Sequence, residues 1–319
     1  MASLTTLKLT NRSLEQLLNQ QKIAAPKQGI KKLPPSIDLP TGATVEDVKK
    51  LIAKQAGISD HNRVGLFYTS TRKTLKDRKA VIAEDKDVAE AGEVLVKDLG
   101  LQIAWRTVFV IEYIGPILIH GLAVAARPYL LKDPSMSPSQ WLSFGMIMAH
   151  FVKREIETLF VHKFSANTMP ARNIFKNSFF YWAFSGALCA WSIYYSPWSL
   201  AATADQPLVD AAGTVLYLFG EISNALVHLY LSSLRSSGGT ERKIPYGYGF
   251  SLVTCPNYMY EILAWAGIII ASRDWSVALF IAIGAGQMFV WAKGKERAYR
   301  KEFGDKYKKK RFVILPGLL

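Results

Sequence analysis

Two patterns of apolar residues divide this chain. Up to about residue 98, apolar positions come in short groups, either alternating or at helical spacing, with polar and turn residues between them. From 103 onward they come in runs near the length of about 20 residues that spans a bilayer as a helix. In the first part, alternation predicts strands near Leu4–Leu9 and Lys32–Leu39, and again at Arg63–Thr69 and Glu93–Leu99. Between them a helix is expected from Val45 to Gln55. Thr44 is placed to cap it, Asp47 lies in its first turn, Val48, Leu51 and Ile52 share a face, and Gly57 ends it.

Six apolar segments follow, at about 103–125, 140–161, 178–197, 209–232, 257–272 and 275–292. The last two are short and separated only by Ser272, Arg273 and Asp274, so a tight hairpin or a partly re-entrant pair is expected there. The pattern therefore predicts a multi-span α-helical membrane protein of about six transmembrane helices behind an N-terminal domain, with the boundary between 98 and 99.

Composition agrees with that reading. The chain has 319 residues, half of them hydrophobic and 12% aromatic, too apolar for an ordinary soluble enzyme. Its net charge of +14 does not point to nucleic acid, because the basic residues cluster between and after the apolar runs. Loop 162–177 carries Lys163, Arg172 and Lys176, and the tail holds ten Lys or Arg between Lys293 and Arg311 against three acids. Loop 198–208 has no Lys or Arg. The positive-inside rule then places both termini in the cytosol. No apolar signal region opens the chain, and with only Cys189 and Cys255 present no disulfide framework is indicated.

The polar residues within the apolar segments carry the chemical information, since each costs a few kcal/mol at mid-bilayer unless it is paired or lines a wet cavity. Glu221, Asn224, His228 and Arg235 fall at i, i+3, i+7 and i+14, on one helical face. His150, Lys153, Arg154 and Glu157 fall at i, i+3, i+4 and i+7, although Lys153 and Glu157 also fit an ordinary intrahelical ion pair. Glu112, within VFVIEYIGP, has no cation near it in sequence. The stretch 228–261 sets Arg235, Arg242 and Lys243 among Gly238, Gly239, Gly247 and Gly249, a composition suited to phosphate, and Asn257, Tyr258, Tyr260 and Glu261 follow it. Lys295 and Tyr299 stand one turn apart in the tail. The glycines match neither a Rossmann fingerprint nor a P-loop, and no metal-ligand cluster is apparent.

Several blocks carry a family resemblance. IPYGYGFSLVTCPNYMYE at 244–261 and WAKGKERAYRKEFGDKY at 291–307 resemble the C-terminal signature of the steroid 5α-reductase family. HFVKREIETLFVHKFSANTMPARNIFKNSFFYW at 150–182 resembles that family's very-long-chain trans-2-enoyl-CoA reductase branch. Residues 1–98, with the order strand, strand, helix, strand, strand, resemble a ubiquitin-like β-grasp domain. Since the last strand runs on toward an apolar span, docking rather than conjugation is expected of it.

The resemblance implies an endoplasmic-reticulum membrane enzyme performing the last reduction of the fatty-acid elongation cycle, which also feeds sphingolipid metabolism, with NADPH. Its partners would be the bilayer, a very-long-chain enoyl-CoA and other elongation enzymes. It places the cofactor on Asn224, His228, Arg235, Lys243, Asn257, Glu261, Lys295 and Tyr299, and the substrate beside Glu112, His150 and Arg154. Catalysis would fall to Lys153 and Tyr258, with Tyr260 the alternative tyrosine. Steroid-reducing members carry a tyrosine after the second-span histidine, where this chain has Phe151, which weighs against a steroid or polyprenol reductase. A non-enzymatic membrane scaffold would leave the cluster at 235–261 without a purpose.

Overall fold

The computed structural model describes residues 5–12, 29–164, 168–203, 206–236, 242–308, 310 and 312–318. Its contacts divide the chain into two compact units, Met1–Trp105 with Ser165–Arg172, and Arg106–Phe164 with Asn173–Leu319.

The first unit is built on strands β1 (Thr6–Asn11), β2 (Ser36–Asp38), β3 (Val64–Tyr68) and β4 (Glu93–Asp98), ordered β2-β1-β4-β3. The central pair β1 and β4 is parallel and both edge pairings are antiparallel. Of the strand expected near Leu4–Leu9, Leu4 lies outside the described residues. Leu7 and Leu9 alternate inward and pack with Val64, Leu66, Val94 and Val96 against helix α1 (Val45–Ala56), which contributes Val48 and Ile52. Local chemistry sets both ends of α1. Thr44 and Asp47 form a capping box, and Gly57 takes the left-handed conformation, φ 69°, that a side chain would resist. Arg78 and His61 hold Glu46 of this helix; the His61 contact is 2.8 Å. Burial alone would raise the Glu46 carboxyl, yet the Arg78 and then the His61 interactions reverse that and leave it below its ordinary value. Helix α2 (Lys86–Ala91) leads into β4, and β5 (Gln102–Ala104) pairs antiparallel with β6 (Thr168–Pro170).

The second unit is helical. Its elements are α3 (Trp105–Leu130), α4 (Pro138–Ile156), α5 (Asn173–Phe179), α6 (Cys189–Tyr194), the short α7 (Leu200–Thr203), α8 (Pro207–Ser233), α9 (Pro256–Ser272) and α10 (Trp275–Phe303). Helical structure thus stands at each of the six apolar segments. Two stretches are π-wound, Glu157–Val161 after α4 and Phe180–Leu188 between α5 and α6. Among the described residues three helical stretches are long and apolar enough to cross a membrane, Trp105–Leu130, Pro207–Ser233 and Trp275–Lys306. The chain is a membrane protein on that basis, and α8 shows how it is built. Leu218, Phe219, Ile222, Leu226 and Leu229 face outward, while Gly213, Gly220, Glu221, Asn224 and His228 face inward.

Small residues let α8 and α9 approach backbone to backbone. A Cβ on Gly213 would lie 2.8 Å from the Gly267 carbonyl oxygen, and one on Gly220 would collide with the Ala264 backbone. A polar clamp closes the far end of this seam, where Arg273 donates to Asp210 (3.0 Å) and Ser139 Oγ donates to the same carboxylate (2.6 Å). Glu221 lies eleven residues beyond Asp210 along α8, about 16 Å of helical rise.

Candidate active site

Where α4, α8 and α9 meet, the polar stripes read from the sequence close on one another. His150 is bracketed by two carboxylates, Glu221 Oε1 at 2.5 Å from Nδ1 and Glu261 Oε1 at 3.3 Å from Nε2. Lys153 donates to Glu221 Oε2 at 2.7 Å and to Asn224 Oδ1 at 2.6 Å. The amide nitrogen of Asn224 in turn donates to the Asn257 carbonyl (2.8 Å) and to Glu261 Oε2 (3.1 Å). Asn224 therefore joins all three helices.

A second layer lies one turn further along. Arg154 donates to Glu157 Oε2 at 2.5 Å and to the Tyr113 hydroxyl at 3.1 Å, with its guanidinium 5.1 Å from the centre of that ring. His228 Nδ1 lies 3.0 Å from Glu157 Oε2. His150, Glu157, Glu221, Asn224, His228 and Asn257 are all buried. Three carboxylates so placed are tolerable in an apolar bundle only because Lys153, Arg154 and the two imidazoles answer them at hydrogen-bonding distance.

Tyr258 and Tyr260 point in different directions, as residues two apart on a helix must. Tyr260 is buried in a separate apolar cluster with Val227, Phe250, Val253 and Met259, stacked on Tyr248 at 5.3 Å and 17°. Tyr248 is itself tied to Ser223 at 2.8 Å. Gly249, at φ 77°, makes room for this arrangement, since a Cβ there would sit 2.6 Å from Pro256. Tyr258 is half-buried against Cys255, Ile262 and Phe289, and the Lys295 ammonium lies 4.9 Å from its ring centre. Lys153 is engaged by Glu221 and Asn224, and the ammonium beside the Tyr258 ring belongs to Lys295.

The remaining residues fall around this core. Glu112 is buried and accepts from Asn177 Nδ2 at 2.8 Å. Tyr299 is half-buried one turn beyond Lys295 and packs at 5.3 Å against Tyr307. Arg235 is half-buried and donates to the Lys163 carbonyl (2.8 Å), while exposed Lys163 donates back to the Arg235 carbonyl (2.7 Å). Lys243 is exposed, and Gly238 and Gly239 lie outside the described residues.

Sequence reasoning undervalued Glu157, which it read as a local partner of Lys153. That contact exists at 3.6 Å, but Glu157 is chiefly the acceptor for Arg154 and His228. Its place seven residues after His150 was the available signal. Tyr113, Asn177 and Tyr248 had none, because each acquires its role only from a helix distant in sequence. Glu157, His162 and His228 bring ligand atoms within 4.8 Å of one another, close enough for a metal ion to bridge. The Arg154 and Lys153 charges on Glu157 oppose a divalent cation there.

Comparison with known proteins places the chain in a family. Residues 167–319 match the family described as 3-oxo-5-alpha-steroid 4-dehydrogenase. The very-long-chain enoyl-CoA reductase of Dictyostelium discoideum is 36% identical over 290 residues, 89% of this chain and 95% of that one. A protein of Schizosaccharomyces pombe described as an enoyl reductase is 37% identical over 291 residues, 91% and 96% of the two chains. An enoyl-CoA reductase of Trypanosoma brucei is 38% identical over 299 residues, 89% and 96%. With identity at this level along nearly the full length of both chains, the protein belongs to the very-long-chain enoyl-CoA reductase branch of the steroid 5α-reductase family.

Proposed function

We propose that this protein reduces the 2,3 double bond of very-long-chain trans-2-enoyl-CoA with NADPH, the closing reduction of the fatty-acid elongation cycle. The observation that carries the reading is the Lys295 ammonium of α10 beside Tyr258 of α9, the helix that also supplies Asn257 and Glu261 to the buried polar layers. A nicotinamide nucleotide carries both donors and acceptors, and the mixed donor and acceptor set of Asn224, His228, Asn257 and Glu261 suits it. A buried polar atom without a hydrogen-bond partner, Glu157 Oε1, lies in the same layers and fits a further polar group. NADPH, when bound, supplies the hydride for the β-carbon.

The chain's own residues carry the rest of the chemistry. Negative charge develops on the thioester oxygen and a proton must reach the α-carbon. Tyr258 holds that proton. The Lys295 ammonium, 4.9 Å from the centre of its ring, supplies positive charge beside the reacting group. Lys153 fixes Glu221 and Asn224, and thereby the surface on which the nicotinamide end would lie. Glu112, beside Tyr113 and Arg154, is placed on the substrate side.

The same reading extends to the architecture. Six membrane-crossing segments with both termini in the cytosol of the endoplasmic reticulum would keep the basic loops and tail in water and let apolar helices enclose the acyl chain, at about 0.8 kcal/mol per buried CH₂. Residues 1–98, with their parallel central strands and the covering helix α1, are a ubiquitin-like docking domain in this reading, for other enzymes of the cycle. The test is direct. Protein purified in detergent is given NADPH and trans-2-enoyl-CoA of C16 to C22, and nicotinamide absorbance is followed. Oxidation dependent on the enoyl-CoA is expected, and folded protein with none above background would overturn the assignment.

A further inference from the structure

The end of α10 carries positive charge that the described residues of the second unit leave unpaired. Arg297, Arg300 and Lys301, at i, i+3 and i+4, share one helical face and line a cleft of about 630 Å³ together with Gly304, Asp305 and Tyr307. The acids beside them in sequence are committed elsewhere. Buried Glu296 accepts from Thr254 Oγ1 (2.6 Å), the Tyr307 hydroxyl (2.6 Å) and the Lys310 amide (3.2 Å), and Glu302 pairs with Arg242 at 3.2 Å. Among the described residues, Asp305 is the one acid that lines the cleft. Among the described residues, Arg297, Arg300 and Lys301 enter no ion pair and no side-chain hydrogen bond.

Like charges three and four residues apart disfavour a helix by a few tenths of a kcal/mol per pair. The helix dipole favours cations in the last turn and so accounts for Arg300 and Lys301. It does not account for Arg297 a turn earlier, or for a concave wall with so little counter-charge. That wall is held in place. Tyr307 is 7% exposed, anchored through its hydroxyl to Glu296 and packed on Tyr299. Guanidinium groups match phosphate oxygens in paired, planar geometry, and the volume lies within the roughly 300–1,000 Å³ of small-molecule sites.

We infer that this cleft seats the phosphorylated adenosine end of a nucleotide used in the reaction, either the CoA thioester or NADPH. The inference rests on the enoyl-CoA reductase reading for the identity of those nucleotides. Arg300 stands five residues beyond Lys295, roughly 8 Å along the helix axis and about 140° around it, so the nucleotide would wrap the end of the helix. The reacting group can then lie at Tyr258 while the phosphates rest on Arg297, Arg300 and Lys301.

Two measurements on the full-length protein in detergent test the cleft. Calorimetry with adenosine 3′,5′-bisphosphate, the fragment of CoA, and adenosine 2′,5′-bisphosphate, the fragment of NADPH, requires no turnover. One of them is expected to bind the native protein and to lose about tenfold or more in affinity in Arg300→Glu/Lys301→Glu. In turnover the same variant should raise KM for the matching nucleotide far more than it lowers kcat. The corresponding analogue without the phosphate, 3′-dephospho-enoyl-CoA or NADH, should be a poor partner for the native enzyme and no worse for the variant. Whichever fragment responds names the source. If neither fragment binds in a charge-dependent way, or if the variant is impaired only in vesicles containing anionic lipid, the cleft is not a nucleotide seat. Native protein that binds a fragment but oxidises no NADPH would instead overturn the reaction assignment and leave the cleft standing.

Discussion

Both units of this protein use glutamate, histidine and a basic side chain in a cluster, and they use them differently. In the first unit Glu46 meets Arg78 and His61 at the rim of α1, where the three side chains keep 16–31% of their exposure. Water shares the work of solvating them, and each contact adds little. In the second unit His150 and Glu221 keep 2% and 9%, and each charge depends on a neighbour from another helix. The same residue types thus give adjustable surface pairing in one place and an interdependent buried network in the other.

Four experiments bear on that contrast, the largest effect first. Tyr258→Phe removes the proposed proton donor without touching the buried network. Turnover should fall by about 10²-fold or more, with NADPH binding changed only slightly, whereas Tyr260→Phe should stay within a few-fold of wild type. Steady-state kinetics and a nucleotide titration measure both, and the reverse outcome would move the donor to Tyr260.

Glu221→Ala comes second, because it leaves His150 and Lys153 facing one another across the gap. A loss of roughly 3–5 kcal/mol is expected for breaking such a buried arrangement, seen as a large drop in the detergent melting temperature. Glu46→Ala in the first unit should cost no more than about 1 kcal/mol. Comparable losses from the two substitutions would erase the distinction between the units.

Acidification gives the smallest effect. Because Glu46 in the folded state is held below its ordinary value, its contribution is present above about pH 4.5, the ordinary carboxyl value, and is lost as pH falls through the lowered one. Hydrogen exchange of peptides from Val45–Ala56, corrected for intrinsic rates, should show protection declining only in that acid window. A decline already near neutral pH would mean that Glu46 is not the group responsible.

What was legible in the sequence follows from how local each cause is. The ends of α1 could be read because Thr44, Asp47 and Gly57 act within a turn of themselves. The faces of α4 and α8 could be read because helical spacing alone puts His150 beside Lys153 and Glu221 beside Asn224. Which acid Lys153 serves could not, since Glu221 is 68 residues away and the contact depends on which helices touch. The π-wound turn at Glu157–Val161 leaves no mark in an apolar count, and the pairing of Gln102–Ala104 with Thr168–Pro170 joins segments that look like the start of a span and a loop. The reach of α10 beyond its apolar segment was legible from Lys295 and Tyr299 standing one helical turn apart in the tail. Apolarity ends near Trp291, but the charged residues after it are good helix formers and carry the helix to Phe303.

The glycine seam between α8 and α9 has a further consequence for traffic through the protein. A junction in which a single added carbon at Gly213 would press on the Gly267 carbonyl has no width for a methylene chain. That wall of the bundle is therefore shut to lipid, and a long acyl tail has to enter and leave across some other pair of helices.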